Sequence, residues 1–190
     1  MLRSLTTRLL HMLVALSVVH QLVVGAVMSG PRSGGLLWQA HQAVGIASLG
    51  ILLAFWAWTL LRRGETRLVR LFPWLSAAGR AALRADAAAH LRALRQFRLP
   101  HGEDSPIASA THGLGLLAAS AMAVTGGMFF LKGIAPQSLV WLALNLHGAI
   151  ANLMWAYLIA HAGLALLHEL TGQRVLRRMS PVGLEHAGAD

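Results

Sequence analysis

Four long apolar stretches, Leu9–Met28, Leu36–Leu61, Ile107–Leu131 and Leu139–His168, constrain this chain more than any other feature. Each holds the ~20 mostly apolar residues a helix needs to cross ~30 Å of hydrocarbon. None carries Arg, Lys or Asp except at its ends, and all six prolines fall outside, as helix continuity requires. The linkers between the first and second and between the third and fourth are short, so each pair is expected to run antiparallel. The expected fold is all-α: one integral-membrane domain over residues 1–190, built as a four-helix bundle. Charged residues make up 12% of the chain, against about 25% in an ordinary soluble domain, which excludes disorder and disfavours a water-soluble globule.

The first stretch has some features of a signal peptide, with Arg3 and Arg8 ahead of an apolar run. His11 and His20 interrupt that run, and the residues after Val24 make a poor cleavage site, so it is read as a span. The net charge of +9 is strongly sided: fourteen of the sixteen cations lie before the first span, in the 62–104 linker or in the tail (Arg174, Arg177, Arg178). Only Arg32 and Lys132 lie in the opposite loops. By the positive-inside rule both termini and the linker are expected to be cytoplasmic, with the chain a multi-pass membrane protein. The charge therefore points to no nucleic-acid partner. From Leu75 to Arg98 the linker reads as an amphipathic helix, with Arg80, Arg84, Arg92 and Arg95 near one stripe and Leu83, Leu91 and Leu94 near another. Such a helix is expected either to rest on anionic lipid headgroups or to present a solvated charged face.

The chain has no cysteine, which excludes disulfides, thiolate metal sites, iron–sulfur clusters and covalent c-type haem. Ten histidines remain as the abundant strong ligands. Ionisable side chains inside a membrane are costly and mark functional sites, which singles out His11, His41, His147 and His161. His147 and His161 are fourteen residues apart on the fourth span, which is about 21 Å along a helix and within about 40° of whole turns. They thus face one way at two depths. Depth pairs His41 with His147 on the outer side and His11 with His161 on the inner side, and two histidines on facing helices are what a six-coordinate b-type haem requires. Gly45, Gly148 and Gly163 follow these histidines, and Gly113, Gly115, Gly126 and Gly127 on the third span leave room for a close approach; small residues also serve plain helix packing.

The other histidines carry less. His20, two and a half turns from His11, faces away from it. His112 competes with His11 as an inner ligand, and His168 sits where a proton relay at a quinone pocket would be. His90 follows Asp86 by four residues and is expected to pair with it. His101 and His186 lie outside the spans.

Several segments resemble the bacterial cytochrome b561 family, related to the cytochrome b subunits of nickel–iron hydrogenases. They are Leu10–His11–Met12–Leu13, His41–Gln42–Ala43–Val44–Gly45–Ile46, the third span from His112 to Gly126, and His147–Gly148–Ala149–Ile150–Ala151–Asn152–Leu153. His161–Ala162, His168 and the closing Leu176–Arg177–Arg178–Met179–Ser180–Pro181 follow. The resemblance implies a di-haem cytochrome b fold with two haem b groups exchanging electrons with a quinone. The axial ligands it implies fall on His11, His41, His147 and His161, with His112 and His168 the nearest relays. The linker is longer than in the simplest members. Arg32 and Lys132 on the outer face, with no acid beside them, would attract a small anion and suit the superoxide or quinol oxidation that the family implies. Two alternatives stand beside this expectation: a cytochrome b anchor for a dehydrogenase or hydrogenase subunit, and a haem-free transport protein. The latter lacks an intramembrane carboxylate pair or a proline-broken helix.

Overall fold

The computed structural model describes residues 4–30, 34–62, 67–100, 105–173 and 175–179. Arg3, Arg32, His101, Arg174, Ser180, Pro181 and His186 lie outside the described residues, as do the side chains of Arg177 and Arg178. The described chain is helical, with no strand and a single isolated bridge between Lys132 and Ala135.

Four helices are long and apolar enough to cross a membrane: α1 (Leu5–Val27), α2 (Leu36–Leu61), α5 (Pro106–Gly127) and α6 (Gln137–Leu170). Between α2 and α5 come α3 (Leu68–Leu71), a 3₁₀ turn (Pro73–Leu75) and α4 (Ala77–Arg95), and α7 (Val175–Met179) follows α6. This is the helical membrane architecture that the four apolar stretches dictate. The bounds shift where capping, not hydropathy, decides them. α1 starts before the apolar run because Ser4 Oγ accepts the Thr7 N–H at 3.3 Å, as an N-cap does. α5 tightens into a 3₁₀ turn at Met128–Leu131. α6 ends in a Schellman motif, in which Gly172 (φ 86°) donates to the Glu169 carbonyl and Gln173 to that of His168. Along α6 only Val140, Ala143 and Met154 are buried, while Leu153, Ile159 and their neighbours face out. Such an exterior would be an aggregation hazard in water and is the natural surface toward lipid, where helices satisfy their own backbone groups.

The chain divides into two compact units, each discontinuous in sequence. The first comprises Met1–Arg8, Trp56–Gly115 and His161–Asp190. Leu71, Phe72 and Pro73 of the linker are buried here. The Phe72 ring stacks on Trp56 with centroids 5.9 Å apart and meets Trp74 edge-on at 5.4 Å. Gly113 of α5 admits this segment: a Cβ there would collide with the Leu71 carbonyl oxygen. At the start of α1, Arg62 Nη1 donates to Ser4 Oγ and, at 2.8 Å, to Thr7 Oγ1. Trp58 Nε1 donates to the same Thr7 hydroxyl at 3.0 Å, with the Arg62 guanidinium 5.0 Å from the centre of the Trp58 ring.

The linker helix is shorter than the 75–98 reading. Ser76 caps it by accepting the Gly79 N–H at 2.9 Å, and it ends at Arg95, after which Phe97 lies in the left-handed region (φ 53°) and the Arg98 N–H reaches back to the Ala93 carbonyl. Its inward face is Gly79, Leu83, Asp86, His90 and Ala93, and Leu91 and Leu94 are exposed among the arginines. The leucine stripe is therefore split, because the polar pair of Asp86 and His90 takes the packed positions. His90 Nδ1 lies 3.2 Å from Asp86 Oδ1, as the spacing predicts. Asp86 also does something the spacing does not announce: its Oδ2 accepts the Ile107 N–H of α5 at 3.0 Å. Ser105 Oγ accepts the Ala108 N–H beside it, and Pro106 occupies the first turn, where a missing N–H costs nothing. Asp86→Ala is expected to destabilise the protein by about 1 kcal/mol, the usual worth of an N-terminal cap. Thermal unfolding in detergent measures this, and Asp86→Asn, which can still accept the bond, should recover most of the loss.

Candidate functional site

The second unit, Leu9–Phe55 with Leu116–Ala160, surrounds a mostly apolar cavity of about 380 Å³. That size falls in the range of cofactor and small-molecule sites, about 300–1,000 Å³. α1, α2, α5 and α6 all contribute to its wall, and its two histidines are His41 from α2 and His147 from α6. Their ring centroids stand 6.2 Å apart with planes at 89°. An imidazole nitrogen binds a first-row metal at about 2.0–2.1 Å, so two coaxial imidazoles sharing one ion have ring centres roughly 6 Å apart. The spacing of His41 and His147 is that distance.

The two rings are held differently. His147 Nδ1 lies 3.1 Å from the Met122 carbonyl oxygen and 3.1 Å from Thr125 Oγ1. A carbonyl can only accept, and the Thr125 hydroxyl donates its own proton to the Ala121 carbonyl at 2.7 Å. Both neighbours of Nδ1 are thus acceptors, which puts the proton on Nδ1 and leaves the lone pair on Nε2. That is the tautomer a metal-ligating histidine needs, with its other nitrogen bonded to a carbonyl in the usual way. α5 comes this close because residue 126 is glycine: a Cβ there would lie 2.9 Å from His147 Cε1 and 3.2 Å from Nδ1.

On the opposite wall, His41 Nδ1 is buried and makes no hydrogen bond among the described residues. Gly25 of α1 lies beside that ring, and Trp38 stacks near it at 6.2 Å. Gln21 ties α1 to α2 by donating from Nε2 to the His41 carbonyl at 2.9 Å, over Gly45, where a Cβ would lie 3.0 Å from that nitrogen. Of the seven glycines singled out in the sequence, Gly45, Gly113 and Gly126 meet such close neighbours, whereas Gly127, Gly148 and Gly163 have nothing within 4 Å of a Cβ position. Gly25, Gln21, Met122 and Thr125 escape sequence reasoning. Their partners are distant in the chain, and a lone threonine in an apolar helix carries no pattern.

In the first unit, His112 of α5 and His161 of α6 meet edge to face with centroids 5.0 Å apart. His112 Nδ1 donates to the Ala108 carbonyl at 2.7 Å, so its Nε2 also carries a lone pair. The two rings are about 1 Å closer than coaxial ligands of one metal ion would stand. His168 is half-buried in the last turn of α6, and its Nδ1 has no hydrogen-bond partner among the described residues. His11 and His20 are half-buried on α1.

Searches of the curated proteins and of the solved structures matched nothing at the significance required. The chain does match, over residues 2–181, the family described as prokaryotic cytochrome b561. The match takes in all four long helices, the linker and every histidine discussed except His186. Together with a histidine pair spaced for iron across an apolar cavity, it settles the class of molecule: the chain belongs to the prokaryotic cytochrome b561 family and is a haem-binding, b-type cytochrome of electron transfer in a bacterial membrane.

Proposed function

We propose that this cytochrome holds two haem b groups, one by His41 and His147 and the other by His11 and His161, and moves electrons across the inner membrane to or from a quinone. The observation that carries the reading is the 6.2 Å spacing of His41 on α2 and His147 on α6, both of which line the cavity. Haem b, when bound, supplies a one-electron carrier. The rest is the work of the chain. His147, protonated on Nδ1, offers Nε2; His41 stands with its ring centre 6.2 Å away; and a mostly apolar lining lowers the local dielectric around the site. The second pair rests on sequence depth and on the family resemblance. At 5.0 Å the rings of His112 and His161 are too near to share an ion coaxially, and His112 is read as the neighbour of a ligand, suited to pass a proton, with His168 two turns beyond His161. Quinone chemistry needs such groups, because protons accompany its electrons. The sided arginines support an orientation with both termini cytoplasmic.

One observation favours a partner subunit as a second reading. α4 exposes Leu91 and Leu94 among Arg80, Arg84, Arg92 and Arg95, a face suited to anionic lipid or to an acidic dehydrogenase or hydrogenase surface.

The reduced-minus-oxidised visible spectrum, with haem quantified per chain, tests the reading. Two b haems per chain are expected. One would remove the second pair, and a colourless preparation would sink the proposal and return the haem-free transport alternative. Co-purification of a stoichiometric redox subunit in mild detergent would favour the anchor role.

A further inference from the structure

The imidazoles of His41 and His147 are not equivalent. His147 Nδ1 is held by two acceptors, the Met122 carbonyl and the Thr125 hydroxyl, each at 3.1 Å, whereas His41 Nδ1 is buried with no such bond among the described residues. The Met122 carbonyl belongs to the backbone of α5 and would be there with any side chain. The Thr125 hydroxyl is a choice of residue. Valine has nearly the same shape and a higher preference for an apolar span, yet it offers no acceptor. The hydroxyl is also oriented: its proton goes to the Ala121 carbonyl at 2.7 Å, which turns a lone pair toward the imidazole.

We infer that Thr125 is a positioning residue for the group held in this cavity: it fixes the His147 tautomer and, by drawing on the Nδ1 proton, lowers the reduction potential of that group. The inference rests on the haem reading of the cavity. Its physical basis is that an imidazole whose N–H is hydrogen-bonded becomes the more basic ligand. A stronger donor favours the oxidised, more positive iron, and hydrogen bonding of this kind is one of the levers a protein has on haem potential. The effect is local. Among the described residues Thr125 hydrogen-bonds to His147 alone of the four ligand candidates, so it sets this haem against the one held elsewhere and thereby biases the step between them.

Thr125→Val and Thr125→Ser test this in the full-length protein purified in detergent, by redox titration with haem quantified per chain. His147→Ala identifies the signal that belongs to this site. Thr125→Val is expected to raise the potential of the His147-dependent haem and leave the other unchanged, while Thr125→Ser stays at the wild-type value. Loss of that haem in Thr125→Val with retention at the wild-type potential in Thr125→Ser supports the same role. An unmoved potential in Thr125→Val, an equal shift in both variants, or loss of the haem from both overturns it. Wild-type protein without a His147-dependent haem would overturn the underlying reading, a distinct outcome because failure of the Thr125 inference alone leaves that haem in place.

Discussion

On the two-haem reading proposed above, replacing His147 with alanine is expected to take the preparation from two haems per chain to one, with the surviving haem keeping its potential. The ring is part of the cavity wall, and His41 is the other histidine that lines it among the described residues. His41→Ala should remove the same haem, and the double variant should lose nothing more. His161→Ala should remove the other. Haem stoichiometry and the split of the redox titration into its components measure all four variants. Loss of both haems from either single substitution would mean the two sites do not assemble independently. Loss of neither would strike that residue from the ligand set.

The second large effect concerns adjacent glycines of α5. Gly126→Ala would place a methyl carbon 2.9 Å from His147 Cε1, whereas Gly127→Ala meets nothing within 4 Å. The His147 ring cannot yield freely, because retreat from α5 breaks its bonds to Met122 and Thr125. Overpacking of this kind typically costs about 1–3 kcal/mol, which at about 1.4 kcal/mol per tenfold corresponds to roughly 5- to 150-fold weaker haem binding. Gly127→Ala should bind haem as the wild type does. Both can be read by haem retention during gel filtration and by transfer to a haem-accepting apoprotein. Equal retention by the two variants would show that the ring has room to move.

How much of this was legible in the chain depends on the range of the interaction. The four spans are legible because hydropathy is a local property, and α2 falls on its apolar stretch from Leu36 to Leu61. The pair of Asp86 and His90 is legible for the same reason, lying one helical turn apart. The cap that Asp86 gives Ile107 is not, since twenty-one residues separate them. The wedge of Leu71, Phe72 and Pro73 is set by Trp56 and Gly113, which lie on two different helices. In α4 the leucine spacing alone misplaces the packed face, because Asp86 and His90 satisfy one another and occupy it. At the site, helical depth sufficed to suggest His41 with His147. Nothing in the sequence links His147 to Thr125 or His41 to Gly25. Those relations exist only once α1, α2, α5 and α6 stand around a common space.

That common space has a consequence for the life of the protein in the cell. A second unit organised around a cavity of about 380 Å³ forgoes the side-chain packing that a solid interior would provide, so its cofactor is part of its folding reaction. A ligand bound only by the folded form adds about 2.7 kcal/mol at one hundred times its dissociation constant. The folded fraction of this cytochrome should therefore follow the supply of free haem. When that supply falls, the apoprotein is expected to populate its opened state more often and to be cleared faster by proteolysis. Abundance would then be governed by porphyrin synthesis as well as by transcription, with no regulator other than mass action.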